Sequence, residues 1–114
     1  DAVDIDDWAD ANCRENIAAN GVADRITPML GDVRRIAGRT YDFIVANINR
    51  NILTADMGAY AAALRPGGTI CFEFGFGQET ALTELLQAAG YEDVTLRKDL
   101  RGVVRAVSAK KPEV

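Results

Sequence analysis

The chain has 114 residues, 48% of them apolar and 26% charged, and a net charge of −4. That is one domain with material for a core, and its cations, never more than two in a row as at Lys110 and Lys111, do not form the basic cluster of a general nucleic-acid or membrane-surface binder. With no histidine and two cysteines it lacks an imidazole base, a Ser-His or Cys-His triad and the donors of a zinc site.

No apolar run approaches the ~18 residues of a transmembrane span. The opening DAVDIDD has no basic region and no long apolar stretch, so it does not read as a signal peptide. Cys13 and Cys71 each sit in an apolar segment. They read as small buried hydrophobes of a reducing, cytoplasmic compartment rather than as a disulfide.

In chain order, residues 2–5 read as the end of a strand. Asp6 is a natural helix N-cap, and Asp7 adds charge at the positive end of the dipole. Ala9, Cys13 and Ile17 recur every four residues, a helical stripe that Asn20-Gly21 closes. RITPML, residues 25–30, reads as a short strand, and Pro28 assigns it to an edge. YDFIVA, residues 41–46, is a continuous apolar run after one acid, of the kind buried on both faces of a parallel sheet. Ile52, Leu53, Met57, Tyr60, Ala61 and Leu64 keep a helical period. Pro66-Gly67-Gly68 reads as a turn, and residues 69–74 as another buried strand. Leu82, Leu85, Leu86 and Ala89 form a helical face that ends at Gly90. Residues 94–97 and 103–108 read as a hairpin. The order β-α-β-β-α-β-α-β-β predicts an α/β fold: a mostly parallel, doubly wound sheet with helices on both faces and one antiparallel strand from the hairpin.

Ligands of such sheets bind beyond the carboxyl ends of the strands. Asp4 (with Asp6) stands at the first of these ends, Gly31-Asp32 at the second, Asn47 at the third and Glu73 to Gly77 at the fourth. An acid at the first end can accept from both hydroxyls of a ribose, and an acid at the second from an exocyclic amine. An asparagine at the third offers a donor and an acceptor, so it can hold an amide or an amine. Each residue also has a plain structural reading. Asp6 serves as a cap, Asp32 as a turn residue, and Asn49 and Asn51 as the start of the next helix. Asp4 and Asn47 gain little from sheet packing and stand out as functional candidates.

These residues carry a resemblance to the class I S-adenosylmethionine-dependent methyltransferases. VDIDDWADANCRENIAANGV (3–22), YDFIVANINRNIL (41–53) and LRPGGTI (64–70) resemble the ribosomal-protein lysine methyltransferases. FEFGFGQETALTELLQAAGYEDVTLRKDLRGVVRAVSA (72–109) is more similar to the release-factor glutamine methyltransferases. The resemblance implies a Rossmann-like fold in which Asp4, with Ile5 beside it, holds the ribose of S-adenosylmethionine. It implies that Asp32 meets the adenine amine with the Val33 N–H near the ring. Asn47 would lie at the cofactor and hold the nitrogen to be methylated, as the catalytic residue. Asn47-Ile48-Asn49-Arg50 fits the ribosomal-protein branch; the glutamine branch has Asn-Pro-Pro-Tyr there. The implied partner is a protein substrate, a ribosomal protein or a release factor. Methyl transfer needs mainly proximity and alignment, so the missing histidine is no obstacle.

In this family an acid-x-Gly-x-Gly-x-Gly loop lies about 20 residues before the ribose-binding acid. FEFGFGQET supplies Glu73, Gly75 and Gly77, but Glu79 replaces the third glycine, and the preceding Pro-Gly-Gly turn assigns the stretch to a later strand end. The expectation is therefore a single methyltransferase domain over residues 1–114 that lacks the family's first strand and helix: a truncated, fragmentary or recombined chain. Such a chain would grip the cofactor weakly or not at all and would self-associate through exposed sheet edges. Two readings outside catalysis stand beside it, a cofactor-free remnant of the fold and a nucleotide-binding regulator that uses FEFGFGQ as its loop.

Overall fold

The structure is a computed structural model. It describes residues 1–4, 6–47, 50–75 and 77–113, and of residues 4 and 50–55 it describes the backbone. Two compact units emerge, residues 1–37 and residues 38–114.

In the first unit, β1 (Ala2–Asp4) pairs in parallel with β2 (Pro28–Leu30), Asp4 opposite Leu30. The crossover between them is α1 (Asp7–Ala19). Its start is chemically marked: the Asp6 carboxylate accepts from the Trp8 N–H at 2.9 Å, and Asp7 and Asp10 lie in the first turn. Both features satisfy the unpaired donors and positive dipole end of a helix N-terminus. Asp6 is thus the cap that the sequence offers. Ile17 is buried and Ala9 and Cys13 are partly buried, so the four-residue stripe is the inward face. The second strand is shorter than RITPML, because residues 25–27 form no ladder and pairing begins at Pro28. A single-turn 3-10 helix, Val33–Ile36, follows β2 and buries Ile36.

The second unit contains β3 (Tyr41–Asn47), α2 (Arg50–Ala63), β4 (Leu64–Glu73), α3 (Glu79–Ala88), β5 (Glu92–Lys98) and β6 (Val104–Lys110). The sheet order is β3-β4-β6-β5; β3 and β4 are parallel, and β6 runs antiparallel to both its neighbours. The final hairpin therefore places its second strand inside the sheet. Ile70, Phe72, Phe74, Val107 and Ala109 form one core with Leu82 and Leu86 of α3, and Met57 and Tyr60 of α2 pack against it. The Tyr60 and Phe72 rings meet edge to face with centroids 5.6 Å apart, a favoured aromatic geometry.

Three local expectations change. Leu64 does not continue α2; it opens β4 and is buried there. Pro66-Gly67-Gly68 is not a free turn but an irregularity within β4. Tyr41 pairs with Leu64 and Phe43 with Thr69, so four residues, 65–68, stand opposite Asp42 alone. The bulge is closed by Gly67 N–H to the Lys111 carbonyl, 3.0 Å, and by Lys111 N–H to the Gly68 carbonyl, 2.9 Å. The third change concerns β3. Its apolar run implies burial on both faces, yet Phe43 and Val45 are 57% and 58% exposed while Ile44 and Ala46 face the core. α2 and α3 both pack on that one core face, and among the described strands β3 pairs with β4 alone.

Candidate active site

Parallel pairing places Asp4 at the carboxyl end of β1, and Gly31-Asp32 directly after the carboxyl end of β2. The two acids thus mark the same end of the two-stranded sheet. Asp32 caps the 3-10 helix: Oδ1 accepts from the Arg34 N–H at 3.0 Å and from Arg34 Nε at 2.9 Å, while Oδ2 meets Arg34 Nη2 at 2.9 Å. The side-chain and backbone bonds from Arg34 hold the Asp32 carboxyl below the usual carboxylate range. In return the carboxylate raises the guanidinium pKa. Asp32 is therefore ionised and acceptor-only at neutral pH. The Asp-x-Arg spacing was the available signal for this partner. Val33 lies in the first turn, where N–H groups have no intrahelical acceptor. Ile5 lies outside the described residues.

In the second unit Asn47 is the last residue of β3 and is exposed. Its parallel register partner is Glu73, the last residue of β4 and also exposed. The loop from Phe74 then leads to α3, with Gln78 at the N-cap position and Gly77 at φ 86°. FEFGFGQET is accordingly a strand end followed by a helix start. Asn49 lies outside the described residues, and Asn51 falls within α2. Cys13 and Cys71 are both free thiols. Burial, then the Glu73 charge, pushes the Cys71 thiol up. It is the less reactive for that.

The chain has counterparts among known proteins. The family model described as "Ribosomal protein L11 methyltransferase (PrmA)" matches residues 1–98. The chain belongs to the ribosomal protein L11 methyltransferase family. Methyltransferases of this family take their methyl group from S-adenosylmethionine. Ribosomal protein L11 methyltransferase of Phocaeicola vulgatus is 51% identical over 76 residues, which cover 66% of this chain and 26% of that protein. The release factor glutamine methyltransferase of Cereibacter sphaeroides is 31% identical, over 97% of this chain and 50% of that protein. The chain thus spans between about a quarter and a half of these relatives' length. Among solved structures, the ribosomal protein L11 methylase of Lactobacillus delbrueckii subsp. bulgaricus has a TM-score of 0.75 at 24% identity, over 96% of this chain and 54% of that one. It shares the Rossmann-like fold. The family match ends at Lys98, before β6, whereas the glutamine methyltransferase match runs over nearly the whole chain. The chain is thus similar to both kinds of methyltransferase over most of its length.

The donor chemistry fits S-adenosylmethionine. The adenosine portion offers ribose hydroxyls and an exocyclic amine, all donors, and two residues of acceptor chemistry, Asp4 and Asp32, stand at one end of a parallel strand pair.

Proposed function

We propose that the chain carries the fold and substrate-contacting residues of an S-adenosylmethionine-dependent methyltransferase acting on a protein nitrogen, with a ribosomal protein as substrate. The observation that carries this reading is the placement of Asp4, Asp32 and Asn47 at carboxyl ends of parallel strands in a chain of this family. Asp4 and Ile5 take the ribose side of the cofactor, and Asp32 with the Val33 N–H the adenine side. Asn47 lies against the cofactor and holds the acceptor nitrogen. S-adenosylmethionine supplies an activated methyl group when bound. The chain's own part is to orient the nitrogen through the Asn47 amide. A release factor glutamine as substrate is the second reading, supported by the resemblance of residues 72–109 and by the relative that carries that name.

The protein is expected to work in the cytoplasm. Its two free thiols support this, and no helix among the described residues is long and apolar enough to cross a membrane. It also associates with itself through the edge of β3 that no described strand pairs.

Calorimetric titration with S-adenosylmethionine tests the reading. Saturable binding that weakens roughly tenfold or more in Asp32→Ala, about 1.4 kcal/mol or more, supports it. Binding indifferent to Asp4→Ala and Asp32→Ala removes it, whereas no binding at millimolar cofactor places this chain with the cofactor-free remnants of the fold.

A further inference from the structure

We propose that Glu73 is a substrate-selecting residue: its carboxylate, beside the Asn47 amide at the carboxyl edge of the four-stranded sheet, takes a primary amine as its ammonium ion in preference to a carboxamide. The inference rests on the methyltransferase reading of Asn47 and assigns Glu73 the part of telling an amine from a carboxamide there.

Asn47 and Glu73 are register partners on parallel strands. Adjacent strands lie about 4.8 Å apart, and register partners share a face. That face is the one turned away from the core, because Ala46 on β3 and Phe72 and Phe74 near the end of β4 point into the core. Both residues are exposed, and neither side chain has a hydrogen-bond or ion-pair partner among the described residues. On its other flank Glu73 is paired with Ala106 of β6, whose methyl group neither covers the carboxylate nor competes for it. The next residue in that row is Arg97 of β5, two strand spacings or roughly 10 Å away. Its charge is felt at Cys71 together with that of Glu73.

The pair offers two carboxylate oxygens and the Asn47 carbonyl oxygen as acceptors, side by side. An alkylammonium carries three N–H donors and a positive charge, so it matches all of them. A carboxamide brings two N–H donors and no charge, and its own carbonyl finds only the Asn47 NH2 group. Hydrogen bonds with an ionised partner are about twice as strong as neutral ones. Asn47 by itself holds either nitrogen; Glu73 supplies the bias toward the amine.

The test is an NMR titration of the 15N-labelled protein with N-acetyl-lysine methylamide and N-acetyl-glutamine methylamide, read at the Asn47 side-chain amide. The lysine probe is expected to bind at least fivefold more tightly, with a preference that shrinks in high salt. Glu73→Gln should abolish the preference while its backbone amide spectrum stays native, and Glu73→Asp should retain part of it. Silence of the Asn47 signal with both probes, a glutamine preference, or a lysine preference unchanged in Glu73→Gln overturns the proposal. Titration with S-adenosylmethionine on the same sample separates the two questions. Cofactor binding without amine preference sinks only the role of Glu73, and amine preference without cofactor binding keeps the role of Glu73 while placing this chain with the cofactor-free remnants of the fold.

Discussion

Asp99 shows how one carboxylate organises a connection. It sits in the turn between β5 and β6, where Oδ1 accepts from the Arg101 N–H at 2.8 Å and the Val103 N–H at 3.0 Å, and Oδ2 meets Arg105 Nε at 3.5 Å. The bond from Val103 is the largest influence, and together with those from Arg101 and Arg105 it outweighs burial and holds the Asp99 carboxyl below its ordinary value of 3.8. A lowered folded-state pKa adds stability that is fully present above the ordinary value and is lost as pH falls through the folded value. Thermal melts from pH 6 to pH 2 should show a stability loss that begins near pH 4. Asp99→Asn should show a shallower one, with the remainder from residues such as Asp32. Asp-x-x-Gly in the sequence signals a turn, but which donors the carboxylate gathers depends on the closed hairpin. The same holds for the site. Asp4, Asp32 and Asn47 are legible as polar groups at strand ends. The Arg34 clasp on Asp32 needs the 3-10 turn to form, and the Asn47–Glu73 pairing needs the register of two strands distant in sequence.

At the scale of elements, α1 and α3 are legible because their signals are local: a capping aspartate, apolar residues at helical spacing, a glycine after the last turn. The junction of α2 and β4 is not, because Leu64 and the Pro-Gly-Gly segment are claimed by β3 and by Lys111. Lys111 Nζ donates to the Ala61 carbonyl at 2.6 Å and the Leu64 carbonyl at 2.9 Å, which satisfies carbonyls at the helix end. Gly68 is fixed by this crowding. A Cβ there would stand 2.8 Å from both the Arg65 carbonyl and Leu64 Cδ1 and 2.9 Å from the Asp42 carbonyl. Gly68→Ala is expected to destabilise by about 1–3 kcal/mol, the usual range for overpacking. Gly58, exposed within α2 with no atom near its would-be Cβ, is the control. Gly58→Ala should stabilise by about 0.5–1 kcal/mol through helix propensity. Urea unfolding of the two variants checks both signs.

For the molecule as a whole, the α/β class and the order of elements follow from periodicity and turn chemistry, which the sequence carries throughout. Which apolar faces are covered does not, since that depends on the neighbours each strand finds. Phe43 and Val45 lie on the uncovered face of a strand paired on one side among the described residues. Exposed apolar edge strands recruit further strands. Sedimentation should show concentration-dependent association, and Val45→Lys should reduce it with little change in thermal stability. An unchanged association constant would mean that the contact lies elsewhere.

The place of β6 carries a consequence in time. Residues 104–110 fill the gap between β4 and β5, so during synthesis these two strands have no shared partner until that segment leaves the ribosome. The parallel β3-β4 pair and α3 must wait with an open edge. Such waiting is when nascent chains meet chaperones or aggregate. Arrest with residues 104–110 still inside the exit tunnel would hold the chain in that vulnerable form, and their emergence would let the sheet close.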